Sequence, residues 1–139
     1  MSPRTTFFLT LAGTLSLPLA RPAAAGEVRI TVTDRATGKP VPCRIHLKDA
    51  AGKPVPADKL PFWHDHFVCP GTVRLELPAG RYPFEVERGP EYSREAGTVT
   101  VGDGGQDVKV VLRRLRDLPA EGWWPGELHL HREIGRAHV

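Results

Sequence analysis

The sequence predicts an all-β protein built as an antiparallel β-sandwich, and three observations carry that prediction. From Gly26 to about Arg116 the chain consists of short β-rich runs separated by Gly, Pro and Asp. Within the runs apolar and polar residues alternate with a period of two, as on half-buried strands. No stretch of ten or more residues in this region holds a helical 3.6-residue period, and the turn signals are spaced as a sandwich requires.

Taken in order, the first element is not part of the fold. Arg4 provides a positive start, TTFFLTLAGTLSLPLA an apolar stretch, and Ala23 and Ala25 the small residues of a cleavage site, so residues 1–25 read as an export signal cut after Ala25. The run is too short and too rich in Thr and Ser for a stable span, which takes about 20 apolar residues. The mature chain is therefore expected outside the cytoplasm, periplasmic or extracellular, without a membrane anchor. The full sequence has 19 Lys and Arg against 16 Asp and Glu. Removing Arg4 and Arg21 with the signal leaves 17 against 16, interspersed rather than striped, so nucleic acid is not an expected partner.

The sandwich follows as residues 26–118. EVRITVTD places Val28, Ile30 and Val32 on one face, and CRIHLKD places Cys43, Ile45 and Leu47 opposite Arg44, His46 and Lys48. TVRLELPAG, GRYPFEVERG, GTVTV and QDVKVVLRRL continue the pattern, giving six or seven strands. Pro83 has no N–H to donate, so its strand is expected to begin there or to lie at a sheet edge. Cys43 and Cys69 enter an oxidising compartment, and two outcomes stay open: a disulfide, or two buried free thiols.

DRATGKPVP and DAAGKPVP repeat an Asp followed by Gly-Lys-Pro-Val-Pro, with the Gly-Lys steps offset by fourteen residues. Each Asp ends a strand, each Gly supplies a permissive φ, and the prolines stiffen the exit. This pattern of strand, turn and strand resembles the carboxypeptidase-regulatory-like or transthyretin-like β-sandwiches, over about Glu27 to Leu115.

Two His-x-His pairs are the candidate chemistry. PFWHDHFVCPG places His64, Asp65 and His66 among aromatics between strands, where imidazole and carboxylate are ligand types for zinc or manganese and a structured loop covering the sandwich end is the plainer reading. In GWWPGELHLHR, His129 and His131 alternate with Leu128 and Leu130, so the two imidazoles share one face of an extended strand. Trp63, Trp123 and Trp124 suit either a binding surface or packing. Glu85, Glu87 and Glu91 read as a solvated strand face and turn rather than as catalytic carboxylates, and Tyr92 as a residue docking against a further domain.

Together, FWHDHFVCPG, LELPAGRYPFEVERGPEY and GWWPGELHLHR resemble the segments leading into the catalytic barrel of secreted, carbaryl-hydrolase-like metallohydrolases of the PHP superfamily. The resemblance implies that residues 119–132 are a linker and the first strand of an α/β barrel, with His129 and His131 as two ligands of a cluster of divalent metal ions of the zinc or manganese type. It implies hydrolysis of small-molecule phosphoesters or related esters and amides by metal-activated water in the full-length protein. The family usually carries Gly-Asp-Leu-His where this chain has Gly126 and Glu127, so no role is transferred to the acid. The remaining ligands of the family lie on later strands, so the expected partner is the rest of that barrel in cis, and the chain as written is expected to be an inactive N-terminal fragment to which no metal ion binds stably.

The closing Ile134 to Val139, IGRAHV, matches codon by codon the translation of a common sequencing-adapter string whose preceding bases complete the codon of Glu133. Residues 133–139 are therefore expected to be adapter-derived, with native sequence ending at Arg132. The alternative function is a noncatalytic secreted sandwich binding a carbohydrate, a peptide or a partner domain.

Overall fold

The computed structural model describes residues 25–124 and 126. These form eight strands: β1 (Ala25–Asp34), β2 (Cys43–Leu47), β3 (Phe62–Trp63), β4 (His66–Cys69), β5 (Thr72–Pro78), β6 (Gly80–Glu87), β7 (Glu95–Val101) and β8 (Gln106–Leu112). They pair into a three-stranded sheet ordered β5-β1-β8 and a five-stranded sheet ordered β3-β4-β2-β6-β7. The fold is all-β, as the alternation predicted, and β1 begins one residue ahead of the predicted domain start.

The alternating residues meet between the sheets. Val28, Ile30 and Val32 of β1 are fully buried, with Leu112 of β8 beside them; across the gap lie Ile45, Leu47, Phe67 and Val86. Removing a large side chain from such a core costs about 3–5 kcal/mol for a Phe, through lost transfer energy and the cavity left behind.

Three expectations need correction. The sandwich is antiparallel in every ladder but one: β1 and β8 run parallel, with Ile30 opposite Val108. The Gly102–Gly105 connection carries the chain from the edge of one sheet to the edge of the other, so β8 does not fold back on β7 and lies along β1 instead. Side-chain alternation is the same in either direction and carries no record of it. Pro83 neither starts nor edges its strand, because β6 is flanked by β2 and β7. It is tolerated because its carbonyl, which receives Lys48 N–H at 3.0 Å, and its missing donor face the same side, where β2 has already ended at Leu47. Finally, PFWHDHFVCPG is a hairpin rather than a loop, with Phe62 opposite Phe67 and Trp63 opposite His66.

The Asp-Gly-Lys-Pro-Val echo becomes two similar turns that differ by one residue: Gly38 N–H bonds the Asp34 carbonyl four residues back, and Gly52 N–H bonds the Asp49 carbonyl three residues back. Asp34 Oδ1 accepts from the N–H groups of Ala36 and Thr37, and Asp49 Oδ1 from those of Ala51 and Lys53. Each Asp N–H then bonds the Lys carbonyl, Asp34 to Lys39 at 3.0 Å and Asp49 to Lys53 at 2.9 Å. Gly38 and Gly52 hold φ of 68° and 79°, the left-handed region in which a Cβ is strained.

Candidate functional site

The outer face of the five-stranded sheet carries a polar cluster assembled from three strands and a turn. The alternation that buries Cys43, Ile45 and Leu47 turns Arg44 and His46 outward on β2. The register sets His46 opposite Glu85 and Arg44 opposite Glu87 on β6, while β4 brings His66 alongside. At the tip of the β3–β4 hairpin His64 adopts φ 53°, and Asp65 N–H bonds the Trp63 carbonyl at 2.7 Å. That tight turn swings Asp65 back over the sheet.

Asp65 bridges the two imidazoles: its Oδ2 lies 3.2 Å from His46 Nδ1 and its Oδ1 lies 3.0 Å from His66 Nδ1. The two rings stand 5.0 Å apart between centroids. The His66 hydrogen bond holds the Asp65 carboxyl below the usual carboxylate range; burial opposes it, and the His46 contact adds to the lowering. On the far side of His46, Nε2 is buried without a hydrogen-bond partner and lies 3.6 Å from Glu87 Oε1. Burial by itself would raise the Glu87 carboxyl, but Arg44 at 3.3 Å, Arg94 at 3.0 Å and His46 outweigh it and hold the group ionised. Arg94 also reaches Glu85 at 3.6 Å.

Next to this cluster, and sharing Arg44 and Glu87 with it, runs an open groove of about 910 Å³. Its walls include Tyr92, whose ring has the Arg88 and Arg114 guanidiniums 5.2 and 5.9 Å from its centroid, and Trp123 and Trp124, which are 69% and 76% exposed. Arg114 is held by Glu91 at 2.6 Å and Asp117 at 2.7 Å, which ties the segment following β8 to the β6–β7 connection. Trp63, at the hairpin tip, is 68% exposed and meets His64 edge-on.

Cys43 and Cys69 are register partners on β2 and β4, both buried and both free thiols. Directly opposed positions on an antiparallel pair lie about 4.5–5.5 Å apart between Cα atoms, within disulfide reach. The Cys43 thiol donates to Cys69 and lowers its pKa; the Gly71 N–H assists at 3.4 Å, against burial. The same hydrogen bond and burial push Cys43 up.

Of the residues singled out from the sequence, Asp65, His66, Glu85 and Glu87 thus enter the cluster, Glu87 as a largely buried, ion-paired group rather than a solvated one, whereas His64 serves the turn. His129 and His131 lie outside the described residues. Sequence reasoning did not single out His46, Arg44 or Arg94. Their outward phase was readable for the first two, but their meeting with Asp65 and Glu87 depends on strand register.

No protein-family model and no curated protein sequence matches the chain. Among solved structures it is similar to the Bacillus anthracis TIE protein, at 22% identity and a TM-score of 0.47, over 66% of this chain and 17% of that one. It is also similar to the pilus-presented adhesin Spy0125 (Cpa), at 14% identity and a TM-score of 0.43, over 66% of this chain and 28% of that one. The chain spans less than a third of either protein. No helix among the described residues is long and apolar enough to cross a membrane.

Proposed function

We propose that this chain is the N-terminal accessory sandwich of an exported metal-dependent hydrolase acting on phosphoesters or related esters and amides. The observation that carries the reading is the pair of exposed indoles, Trp123 and Trp124, standing beside the groove immediately before the segment PGELHLHR. Two adjacent, largely exposed Trp side chains next to an open groove are the kind of surface that a following domain covers. Tyr92 lines the same groove, in keeping with a docking role.

In this reading His129 and His131 supply two imidazole ligands to a cluster of divalent ions of the zinc or manganese type. Neutral imidazole suits such ions, and alternate positions on a strand present both rings to one side. Bound metal would lower the pKa of a coordinated water and polarise the scissile group. The sandwich contributes the wall against which the catalytic domain is seated.

The test is to read the coding frame through Arg132 in the source DNA, express the continuous product and assay phosphoester and carboxylester hydrolysis with Zn²⁺ or Mn²⁺. Activity that falls by about 100-fold or more in His129→Ala and His131→Ala supports the reading. A frame that supplies no further His, Asp or Glu ligands overturns it. The exposed Trp63 would then favour a noncatalytic sandwich that binds a carbohydrate, a peptide or a partner domain.

A further inference from the structure

The sandwich carries a second set of metal-ligand side chains, independent of His129 and His131. We propose that His46 Nδ1, His66 Nδ1 and the Asp65 carboxylate form a three-ligand site for a late first-row divalent cation of the Zn²⁺ type on the outer face of the five-stranded sheet.

Spacing is the first argument. A tetrahedral zinc with metal–nitrogen and metal–oxygen bonds of about 2.0–2.2 Å sets its ligand atoms about 3.3 Å apart. The two His–Asp separations here are 3.2 and 3.0 Å, each to a different oxygen of the Asp65 carboxylate, and one donor atom from each residue lies within 4.8 Å of the others. An ion between them would draw the two imidazoles together around the carboxylate. Two imidazoles and one carboxylate leave the fourth position open to water, and this mixed N/O set suits zinc better than calcium or magnesium.

The surroundings of His46 are the second argument. Its Nε2 is buried, has no hydrogen-bond partner and lies 3.6 Å from Glu87 Oε1. With a cation on Nδ1 the proton must sit on Nε2, and that N–H then points at Glu87. Metal binding thus turns an unsatisfied contact into the carboxylate–histidine–metal arrangement that orients ligating histidines. Arg44 and Arg94 keep Glu87 charged and occupied on its other lone pairs, so Glu87 acts as a positioning residue rather than as a ligand. For the same reason the alternative grouping of His46 with Glu85 and Glu87 is disfavoured, because an ion there would have to displace guanidinium contacts to both carboxylates.

The experiment is a calorimetric titration of the tag-free full chain with Zn²⁺, followed by imidazole ¹⁵N NMR of the same sample. The expected result is one saturable ion retained in the His129→Ala/His131→Ala variant, with the Nδ1 resonances of His46 and His66 moving and those of His64 unchanged. Affinity should fall at least tenfold in Asp65→Asn and His66→Gln, and by about tenfold in Glu87→Gln. Far-UV circular dichroism of each variant confirms that it is folded, and the NMR shifts of the unsubstituted chain test the site without relying on any variant. A Co²⁺ spectrum showing thiolate charge transfer would assign the ion to Cys43 and Cys69 instead and overturn the proposal. So would absence of saturable binding, loss of binding in the His129/His131 variant, or unchanged affinity in folded Asp65→Asn and His66→Gln.

Discussion

The turns at 34–39 and 49–53 share an Asp acceptor and a positive-φ glycine ahead of Lys-Pro-Val-Pro, yet they differ by one residue in length and, more sharply, in what surrounds them. The first is set into the body of the sandwich. Asp34 is 6% exposed, Arg35 N–H bonds the Leu112 carbonyl, and Val32 N–H bonds the carbonyl of Gly71, which packs on Pro40. The second is bonded to its own residues and to the ends of β2, with Asp49 only half-buried. Local chemistry produced a similar turn twice, and tertiary context made only one of them a junction between parts of the fold.

Substitution at Gly71 should have the largest effect, because it tests that junction. Gly71 has φ 124°, and a Cβ there would lie 2.8 Å from Pro40 Cβ and 3.0 Å from the Val41 nitrogen. Gly71→Ala should therefore destabilise the chain by about 2–3 kcal/mol, through backbone strain and overpacking, seen as a melting temperature lower by roughly 10 °C. A variant that melts like the parent would mean that the first turn is no better anchored than the second.

A smaller and, importantly, equal effect is expected at the shared glycine. Neither Gly38 nor Gly52 has an atom within 4 Å of where a Cβ would sit, so only the left-handed φ is at stake. Gly38→Ala and Gly52→Ala should each cost about 1 kcal/mol in urea unfolding. Costs differing by more than about twofold would show that the turns are not equivalent even locally.

The smallest effect is a dependence on pH. The Thr37 N–H leads the interactions that hold the Asp34 carboxyl below its ordinary value of 3.8, with burial opposing and the Thr37 hydroxyl, the Ala36 N–H and Tyr92 assisting. A carboxyl depressed in the folded state adds stability at pH above its unfolded value and loses it as pH falls through the folded one. Asp34→Asn keeps an acceptor oxygen but removes that titration. Thermal melts between about pH 5 and 2 should therefore show a shallower acid limb in the variant than in the parent. Parallel limbs would contradict the assignment.

Much of this architecture was legible in the residues. Alternation in EVRITVTD and CRIHLKD marked the core faces correctly, and Asp-Gly-Lys-Pro marked both turns, because side-chain period and turn chemistry are local properties. The β3–β4 hairpin was hidden by its length. Phe62–Trp63 is two residues long, and the φ 53° turn sits on His64, where no Gly or Asn announces it. The candidate site was half legible: Asp65 and His66 are adjacent in sequence, whereas His46 lies nineteen residues before Asp65 and joins it only across the sheet.

Neighbours a few residues apart therefore dictated the class of fold, the identity of the buried faces and the two similar turns. Packing of the sheets settled that β8 lies parallel to β1, that Pro83 fits inside a sheet beside the end of β2, and that two histidines and three carboxylates converge on one face. Those outcomes depend on strand order and register, which arise from packing one sheet against the other and leave no trace in any single segment.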